Sequence, residues 1–392
     1  MSQREPPLTI GLEEEYLLVD KATRAVASDP PAALFAELEE RTHGHAFPEF
    51  LRSQVEVATP VCRTAGEARA RLAELRRAVV EVSAAHGLAP IAAASHPFSL
   101  ASGQRSTDKE RYAALLREMQ GAARRLMVCG LHVHVGIDDD ELRIDLLNQL
   151  TYFLPHLLAL SCSSPFWEGE RTGLMSFRLM IFNGVPRTGL PEHFTSWGEY
   201  RRHTDILVET GIIADTSRIW WDLRPSERWP TLETRVMDCC TSLEDAISLA
   251  ALVQCLLRML YRLRRANQRW RMYSHLLLGE NRWRAMRYSY DAGLLDLGQK
   301  RIVPFAEMLE ELIELVREDA EALGCTAEIE GLREIVRRGT SAHRQLEVYT
   351  AARAAGTDES AALRAVVDWL VDETARGLSP QGGLSPQGTV PY

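Results

Sequence analysis

Four predicted β-strands, each with one apolar face and one charged face, constrain this sequence most strongly. The strands are 8–20, 53–59, 130–137 and 231–238. Because side chains alternate across a strand, residues two apart lie on the same face of the sheet. Leu12, Val55 and Val133 belong to the apolar faces, so a sheet built from these strands has to pack that side against other elements.

The opposite faces of these strands carry acidic, imidazole and guanidinium groups. These are Glu13, Glu15, Glu56, His132, His134, Glu233 and Arg235. An antiparallel sheet often has one face in water, but a solvated face usually carries Lys, Thr, Ser and Gln, and these faces carry no lysine. Several carboxylates held close together repel one another unless a cation neutralises them. We therefore favour a metal-lined face over a solvated one.

The types of these residues also indicate which metal and which chemistry to expect. A set dominated by carboxylates, with one or two imidazoles, suits Mg²⁺ or Mn²⁺ better than zinc, and such ions keep open positions for phosphate oxygens. The chain has neither a GxxxxGK[ST] loop nor a GxGxxG after a strand, so metals and arginines would have to hold the phosphates of ATP. Eight arginines lie in or near loop-rich segments: Arg178, Arg187, Arg218, Arg224, Arg235, Arg282, Arg284 and Arg287.

The rest of the chain alternates between helical patterns and irregular segments. Helices are predicted at 31–42, 65–87, 141–162, 197–210, 241–268 and over most of 304–376. A further strand is predicted at 89–94, a mobile loop at 99–111, and a disordered tail with a direct repeat at 377–392. Irregular spacing argues against a doubly wound array, so we expect an α+β fold with a mainly antiparallel sheet and a helical C-terminal region.

Composition excludes several classes of protein. The 392 residues are 46% hydrophobic, with a net charge of −9, so we expect no nucleic-acid partner. The nine arginines within 258–287 are read as a solvated helix face rather than an RNA-binding surface. No apolar run long enough to span a membrane and no secretion signal is apparent, which predicts no membrane partner and a cytoplasmic location. The seven cysteines are scattered, so neither a disulfide scaffold nor structural zinc is expected.

Taken together, these segments resemble the carboxylate–amine ligase family related to glutamate–cysteine ligase (type 2), within the glutamine synthetase-like superfamily. The resemblance covers roughly residues 8–375 and rests on TIGLEEEYLLVD, SQVEVATPVC, SHPFS, GLHVHVGI, WWDLRPS, TLETRVMDCCTSLEDA and ENRWRAMRYSYDA. It implies a curved antiparallel sheet with outer helices and a site on the concave face. Residues 1–376 would then form a single glutamine synthetase-like catalytic domain.

The resemblance also implies roles for individual residues. Metal ligands would be Glu13, Glu15, Glu56, His132 and Glu233, and Arg235 would face the transferred phosphate. Candidates for contacts with ATP or substrate are His134, Arg178, Arg224, Arg282 and Arg284. The base that deprotonates the amine is not assigned, with Glu56 and Glu14 as candidates. Ser289 departs from the family pattern, where glycine is expected.

The implied reaction is ATP-dependent formation of an amide through an acyl phosphate, with Mg²⁺ or Mn²⁺ as cofactor. Glutamate and cysteine are the first expected pair, giving γ-glutamylcysteine, and another acid or amine is the close alternative. A metal-dependent amidohydrolase would use the same acidic and histidine residues to activate water, without ATP. A non-catalytic relative is disfavoured because no metal-type residue is missing. We expect small-molecule partners only, and a homodimer.

Overall fold

The computed structural model describes residues 5–378. Apart from Gly377 and Leu378, the predicted tail of 377–392 lies outside the described residues. Within the described part the strands are β1 (Ile10–Asp20), β2 (Ala46–Pro48), β3 (Gln54–Ala58), β4 (Leu88–Ile91), β5 (Leu131–Gly136), β6 (Phe166–Trp167), β7 (Glu170–Arg171), β8 (Thr188–Gly189), β9 (Trp220–Trp221), β10 (Leu223–Pro225), β11 (Thr231–Thr234), β12 (Leu294–Asp296) and β13 (Arg301–Val303).

Helices fill the gaps between the strands and most of the C-terminal third. They are α1 (Ala32–Arg41), α2 (Ala65–Ala85), α3 (Glu110–Met119), α4 (Asp140–Leu150), α5 (Leu154–Ser161), α6 (Arg178–Phe182), α7 (Trp197–Glu209), α8 (Leu243–Arg265), α9 (His275–Tyr288), α10 (Phe305–Leu323), α11 (Thr326–Arg338), α12 (Ser341–Ala354) and α13 (Glu359–Thr374). Short 3₁₀ turns at 101–103, 123–125, 151–153 and 216–218 connect some of them.

One seven-stranded antiparallel sheet organises the fold. Its strands follow the order β10-β11-β5-β1-β3-β2, and β4 pairs with the far end of β1. Along this order every neighbouring pair is antiparallel. The predicted α+β class with a mainly antiparallel sheet and a helical C-terminal region is therefore confirmed.

The apolar face of the sheet packs on two long helices, α2 and α8. Burial alternates along the first part of β1, where Ile10, Leu12, Glu14 and Tyr16 are buried and Gly11, Glu13 and Glu15 between them are half-buried. By length and composition alone, α8 could cross a membrane, although no apolar run was expected to be long enough. However, 83% of the most apolar part of α8 is buried inside the structure, as is typical of a helix in a protein core.

Several predicted elements differ from the structure in extent. β11 ends at Thr234, so Arg235 follows the strand instead of belonging to it. The amphipathic helix α3 occupies the end of the predicted 99–111 loop and was not expected. The helix predicted from 241 begins two residues later: Ser242 caps α8 by accepting a hydrogen bond from the Asp245 amide, and the Thr241 hydroxyl donates to the carbonyl of Ala92.

His96, from the predicted SHPFS segment, is a fully buried histidine whose bonds require the neutral ring. Its Nε2 donates to the Arg24 carbonyl at 2.9 Å, and its Nδ1 accepts from the Ser99 amide at 2.8 Å. Burial lowers the pKa of His96 to about 4. A second proton on Nδ1 would face an N–H donor instead of an acceptor, so protonation disrupts this packing.

We therefore expect the stability of the protein to fall as the pH drops from 6.5 towards 4. The unfolded histidine, with its ordinary pKa near 6.5, binds more protons than the native one in this window, which costs about 2 kcal/mol at pH 5. Urea unfolding at pH 7.5 and pH 5.0 should show that His96→Asn, which keeps an acceptor but does not titrate, loses less stability than the parent. The control His43→Asn, at an exposed histidine, should lose as much stability between the two pH values as the parent. Equal losses in all three proteins would show that His96 does not cause the pH dependence.

Candidate active site

A cavity of about 400 Å³ lies over the polar face of the sheet. Its floor is formed by side chains of β1, β3, β5 and β11, and loops between 215 and 229 form part of its rim. The predicted site residues that line it are Glu13, Glu15, Glu56, His132, His134, Arg178, Arg224, Glu233 and Arg235. The structure therefore brings nine of the eleven predicted site residues to one cavity.

The strand register sets which of these groups are neighbours. Glu233 on β11 lies opposite His134 on β5, and Glu13 on β1 lies opposite His132. Glu15 on β1 lies opposite Glu56 on β3. Because directly opposed residues on one face are in side-chain contact range, the register produces a row of acids and imidazoles across four strands.

Glu13, His134 and Glu233 form the group best suited to a cation. One ligand atom from each lies within 4.8 Å of the other two. His134 Nε2 is buried, lies 3.3 Å from a Glu13 oxygen and makes no hydrogen bond within the described residues. Its Nδ1 contacts the Thr231 hydroxyl at 3.0 Å, which orients the ring in the way a second partner orients a metal-binding histidine. These residues fit a hard divalent ion.

The two histidines of β5 have different neighbours in the cavity. His132 was expected as the metal ligand and His134 as a contact to ATP or substrate. In the structure His132 Nδ1 is hydrogen-bonded to Glu13 at 2.8 Å, and His134 belongs to the group of three. Burial lowers the pKa of His132 to about 4, so the ring is neutral at physiological pH.

The electrostatics of the group keep its carboxylates ionised. Burial alone would raise the pKa of Glu13, but the charge of His134 and the hydrogen bond from His132 hold it well below its usual value. The pKa of Glu233 is likewise lowered, because Arg224 and Arg235 outweigh burial. For His134 the loss of solvent is outweighed by Glu13 and Glu233, which raise its pKa.

A second acidic cluster, formed by Glu15, Glu49 and Glu56, lies beside the first. Burial and the neighbouring charge of Glu49 raise the pKa of Glu15 to about 7. Burial and the charges of Glu13, Glu49 and Glu15 raise that of Glu56 well above its usual value. Three carboxylates this close together repel one another, and a cation or a substrate ammonium group bound between them would neutralise that repulsion.

Glu49 was not predicted, because it follows the three-residue strand β2 and no alternating pattern identifies its direction. Its carboxylate accepts a hydrogen bond from the Tyr112 hydroxyl at 2.7 Å and lies 3.6 Å from Arg111. Tyr112 and Arg111 were missed as well, since they belong to the unexpected helix α3. Only the amphipathic spacing of that helix could have indicated them.

Three of the predicted arginines, Arg178, Arg224 and Arg235, bring positive charge to the cavity. Arg224 Nε lies 2.7 Å from Glu233, and Arg235 is paired with the other oxygen of the same carboxylate. Arg178 is buried and donates to the carbonyl of Arg235 at 3.2 Å. All three can present N–H donors to phosphate or carboxylate oxygens.

Gly130 provides the space that Arg178 occupies. A Cβ at position 130 would lie 2.4 Å from Arg178 Nη2 and 3.1 Å from His132 Nε2. Because the obstructed atom is the end of a long side chain, the arginine can move without moving the backbone.

We expect Gly130→Ala to displace Arg178 and to lower turnover by about 100-fold while leaving the protein folded, since small displacements of positioning groups have effects of that size. Activity assays and thermal melting would check this. The matched control is Gly279→Ala, where a Cβ meets nothing within 4 Å. Normal turnover in Gly130→Ala would contradict a role for Arg178 in the cavity.

Arg282 and Arg284, predicted to contact ATP or substrate, lie outside this cavity as the described residues define it. Both belong to α9, which continues without a break through Gly279 to Tyr288. Arg282 is buried in an ion pair with Asp222, whose two oxygens lie 2.5 and 3.0 Å away. Arg284 donates to the carbonyls of Ala292 and Gly293.

Two other residues noted in the sequence also have structural partners. Glu14 lies on the opposite face of β1 from Glu13 and is ion-paired with Arg76, so it is not positioned to act as a base in the cavity. Ser289 ends α9 with a φ of 53°, in the left-handed region that favours glycine. This conformation explains why glycine is expected there, and the serine hydroxyl donates to the Ala159 carbonyl.

Comparison with known proteins supports a family relationship along the chain. A family model described as glutamate–cysteine ligase family 2 matches residues 9–368. A protein of Rhodospirillum rubrum named "Putative glutamate--cysteine ligase 2" is 55% identical over 384 residues, which are 97% of this chain and 99% of that protein. A relative of the same name from Paracoccus denitrificans is 52% identical over 377 residues, covering 95% and 99% of the two chains.

Two solved structures share the fold at low sequence identity. The glutamate–cysteine ligase of Francisella tularensis, in complex with AMP, gives a TM-score of 0.67 at 13% identity, over 96% of this chain and 91% of that one. A bifunctional glutathione synthetase from Pasteurella multocida gives a TM-score of 0.65 at 17% identity, over 94% of this chain and 53% of that one. At such identities the likeness concerns the fold alone, and it agrees with the fold class expected from the sequence.

Proposed function

Since the chain belongs to glutamate–cysteine ligase family 2, we propose that it is an ATP-dependent carboxylate–amine ligase that forms an amide through an acyl phosphate. The observation that carries the proposal is the group of Glu13, His134 and Glu233, with Arg224 and Arg235 beside it in one cavity. Glutamate and cysteine are the first pair to test, and another acid or amine is the close alternative.

The described residues fit one or more divalent cations, for which we propose Mg²⁺ or Mn²⁺. Glu13, His134 and Glu233 would hold one ion. A bound divalent ion neutralises charge that develops on phosphate oxygens. Glu15 and Glu56 offer further carboxylate oxygens next to the first group, with His132 bonded to Glu13.

The arginines of the cavity would act on the transferred phosphoryl group. In the first step an oxygen of the substrate carboxylate attacks the γ-phosphorus of ATP, and the bond to ADP breaks. Arg235 and Arg224 donate to the phosphoryl oxygens as their charge develops, and Arg178 orients a carboxylate or phosphate at the other side. We propose that Arg235 is the main group facing the transferred phosphate.

In the second step the amine nitrogen attacks the acyl carbon, and inorganic phosphate leaves with the electrons of the broken C–O bond. The amine has to lose a proton to a nearby base. We propose Glu56 for this role because its carboxylate lies in the cavity, on β3 opposite Glu15. Enclosure of the acyl phosphate from water would prevent its hydrolysis.

Further proposals concern the whole molecule. We propose that residues 1–376 form one catalytic domain, that the protein works in the cytoplasm on small molecules, and that it is a homodimer.

The proposed self-association surface is one face of α9. It exposes two large apolar side chains, Leu276 at 82% and Trp283 at 44%. Analytical ultracentrifugation of the parent and of Leu276→Glu tests that surface.

The proposed reaction is tested by ADP release from Mg-ATP with a matrix of carboxylic acids and amines, combined with mass spectrometry of the products. We expect ADP only when a suitable acid and amine are both present, with one amide formed per ADP. Amide hydrolysis without any requirement for ATP would support the amidohydrolase alternative and contradict the ligase.

A further inference from the structure

One side of the cavity is mainly apolar. We call it the α3 wall, and it consists of Tyr112, Leu115, Met119, Leu126, Phe182 and Val185. Leu115 and Met119 are 8% and 9% exposed. A site built only for ATP phosphates, glutamate and the short polar-ended side chain of cysteine has little use for such a surface.

The wall is held in place by contacts behind it. Tyr112, Leu115 and Met119 recur at i, i+3 and i+7, so they share one face of α3. The ring of Phe50 packs edge-on against Tyr112 with centroids 5.6 Å apart. On the outer side of the helix, Glu118 is ion-paired with Arg187 at 3.2 Å, which ties α3 to the segment that carries Phe182 and Val185.

The α3 wall adjoins the second acidic cluster. The hydroxyl of Tyr112 donates to Glu49 at 2.7 Å, and Glu49 lies beside Glu56 in the same cavity. A substrate ammonium attracted to these carboxylates would direct its substituent towards Leu115 and Met119. The arrangement of a polar anchor next to an apolar surface is typical of sites that select a side chain.

The nucleotide has a different place available at the opposite edge of the sheet. Arg224 and Trp229 belong to β10 and to the turn between β10 and β11, whereas Glu49 follows β2. The sheet order places β10 and β2 at opposite ends, with the group of Glu13, His134 and Glu233 between them. Phosphates held at that group can extend to a base near Trp229, which leaves the α3 wall to a substrate.

We propose that the α3 wall binds an apolar side chain of the amine substrate, and that this side chain is longer than that of cysteine. The inference rests on the proposed ligase function and narrows its substrate class to amino acids or related amines with aliphatic side chains. Leu115 is the central specificity-determining residue.

The test measures kcat/KM for ADP release with a fixed acid and a series of amines: glycine, alanine, cysteine, norvaline, leucine and phenylalanine. We expect about a ten-fold rise for each methylene from alanine to norvaline, as in other apolar pockets. Leu115→Asn should lower kcat/KM for norvaline by about ten-fold without changing the KM for ATP. Leu115→Ala should raise kcat/KM for phenylalanine relative to that for norvaline. Destabilisation of the protein alone cannot produce such a gain.

The neighbouring residue Leu116, which lies outside the cavity lining, provides the matched control. Leu116→Asn makes the same chemical change on the same helix and should leave the amine preference unchanged, with thermal melting to verify folding. ADP release at equal rates with all amines would overturn the inference and leave the ligase standing. A raised KM for ATP in Leu115→Asn would show that adenine occupies the wall, which also overturns it.

Calorimetric titration separates failure of the inference from failure of the proposed function. With Mg-ADP present, norvaline should bind the protein more tightly than serine, and Leu115→Asn should remove the difference. If no acid and amine pair releases ADP but this preference remains, the ligase proposal fails while the wall still selects apolar amines. If norvaline and serine bind equally, the inference fails whatever the reaction.

Discussion

Replacing Glu14 with glutamine should lower the free energy of unfolding by about 3–5 kcal/mol, the usual effect of breaking a buried ion pair. Glu14 and Arg76 are both fully buried, and Arg76 Nη2 lies 2.6 Å from a Glu14 oxygen. Arg76 also donates to the carbonyls of Thr241 and Cys240, so it connects α2 with β1 and the segment before α8. Loss of the carboxylate leaves a buried guanidinium without its counter-charge.

Urea unfolding of Glu14→Gln, Arg76→Met and the double variant measures this interaction. We expect the double variant to lose less stability than the sum of the single losses, because it removes both charges. Glu244→Gln is the matched control. It breaks the exposed ion pair between Glu244 and Arg69, which lies on α2 like Arg76, and should lower the free energy of unfolding by less than about 1 kcal/mol. A Glu14→Gln protein of normal stability without activity would show that Glu14 takes part in the chemistry.

Replacing Glu233 with glutamine should lower kcat by about 100- to 1,000-fold, because loss of one charged ligand removes several kcal/mol of transition-state stabilisation. Glu233 belongs to the group of three possible ligands and is the shared partner of Arg224 and Arg235. The substitution removes the charge that both the cation and the two arginines require, while the side chain keeps its size.

Binding of Mn²⁺, followed by electron paramagnetic resonance, separates this effect from simple unfolding. Glu233→Gln should bind Mn²⁺ at least about ten-fold more weakly than the parent. Glu227→Gln, an exposed acid on the rim of the same cavity, is the control and should bind it normally. Unchanged Mn²⁺ affinity together with unchanged turnover in Glu233→Gln would exclude Glu233 as a ligand.

The sequence was sufficient to place most of the candidate site, because the two-residue period of a strand fixes the face of the sheet to which each side chain belongs. Once Leu12 and Val133 face the core, Glu13 and His132 have to face away from it. Which of the two histidines lies beside Glu233 could not be predicted, since it depends on strand register. Only the pairing of Glu233 with His134 brings that imidazole into the group of three.

Residues outside regular strands were the harder part. Glu49 follows β2 on a loop, where no periodicity fixes the direction of a side chain. Arg282 was expected in the site because arginines are common phosphate ligands, but a buried partner, Asp222, determines its actual place. Such ion pairs join segments 60 residues apart, so local sequence patterns carry no sign of them.

The central claim, activation of a carboxylate by ATP, is tested most directly by following oxygen from the acid into phosphate. The acid, first of all glutamate, is labelled with ¹⁸O in its carboxyl groups and incubated with the protein, Mg-ATP and the best amine from the substrate series. An acyl-phosphate route predicts that each amide formed yields one inorganic phosphate carrying a single ¹⁸O atom. Amide formation with unlabelled phosphate would contradict that route, and with it the proposed function.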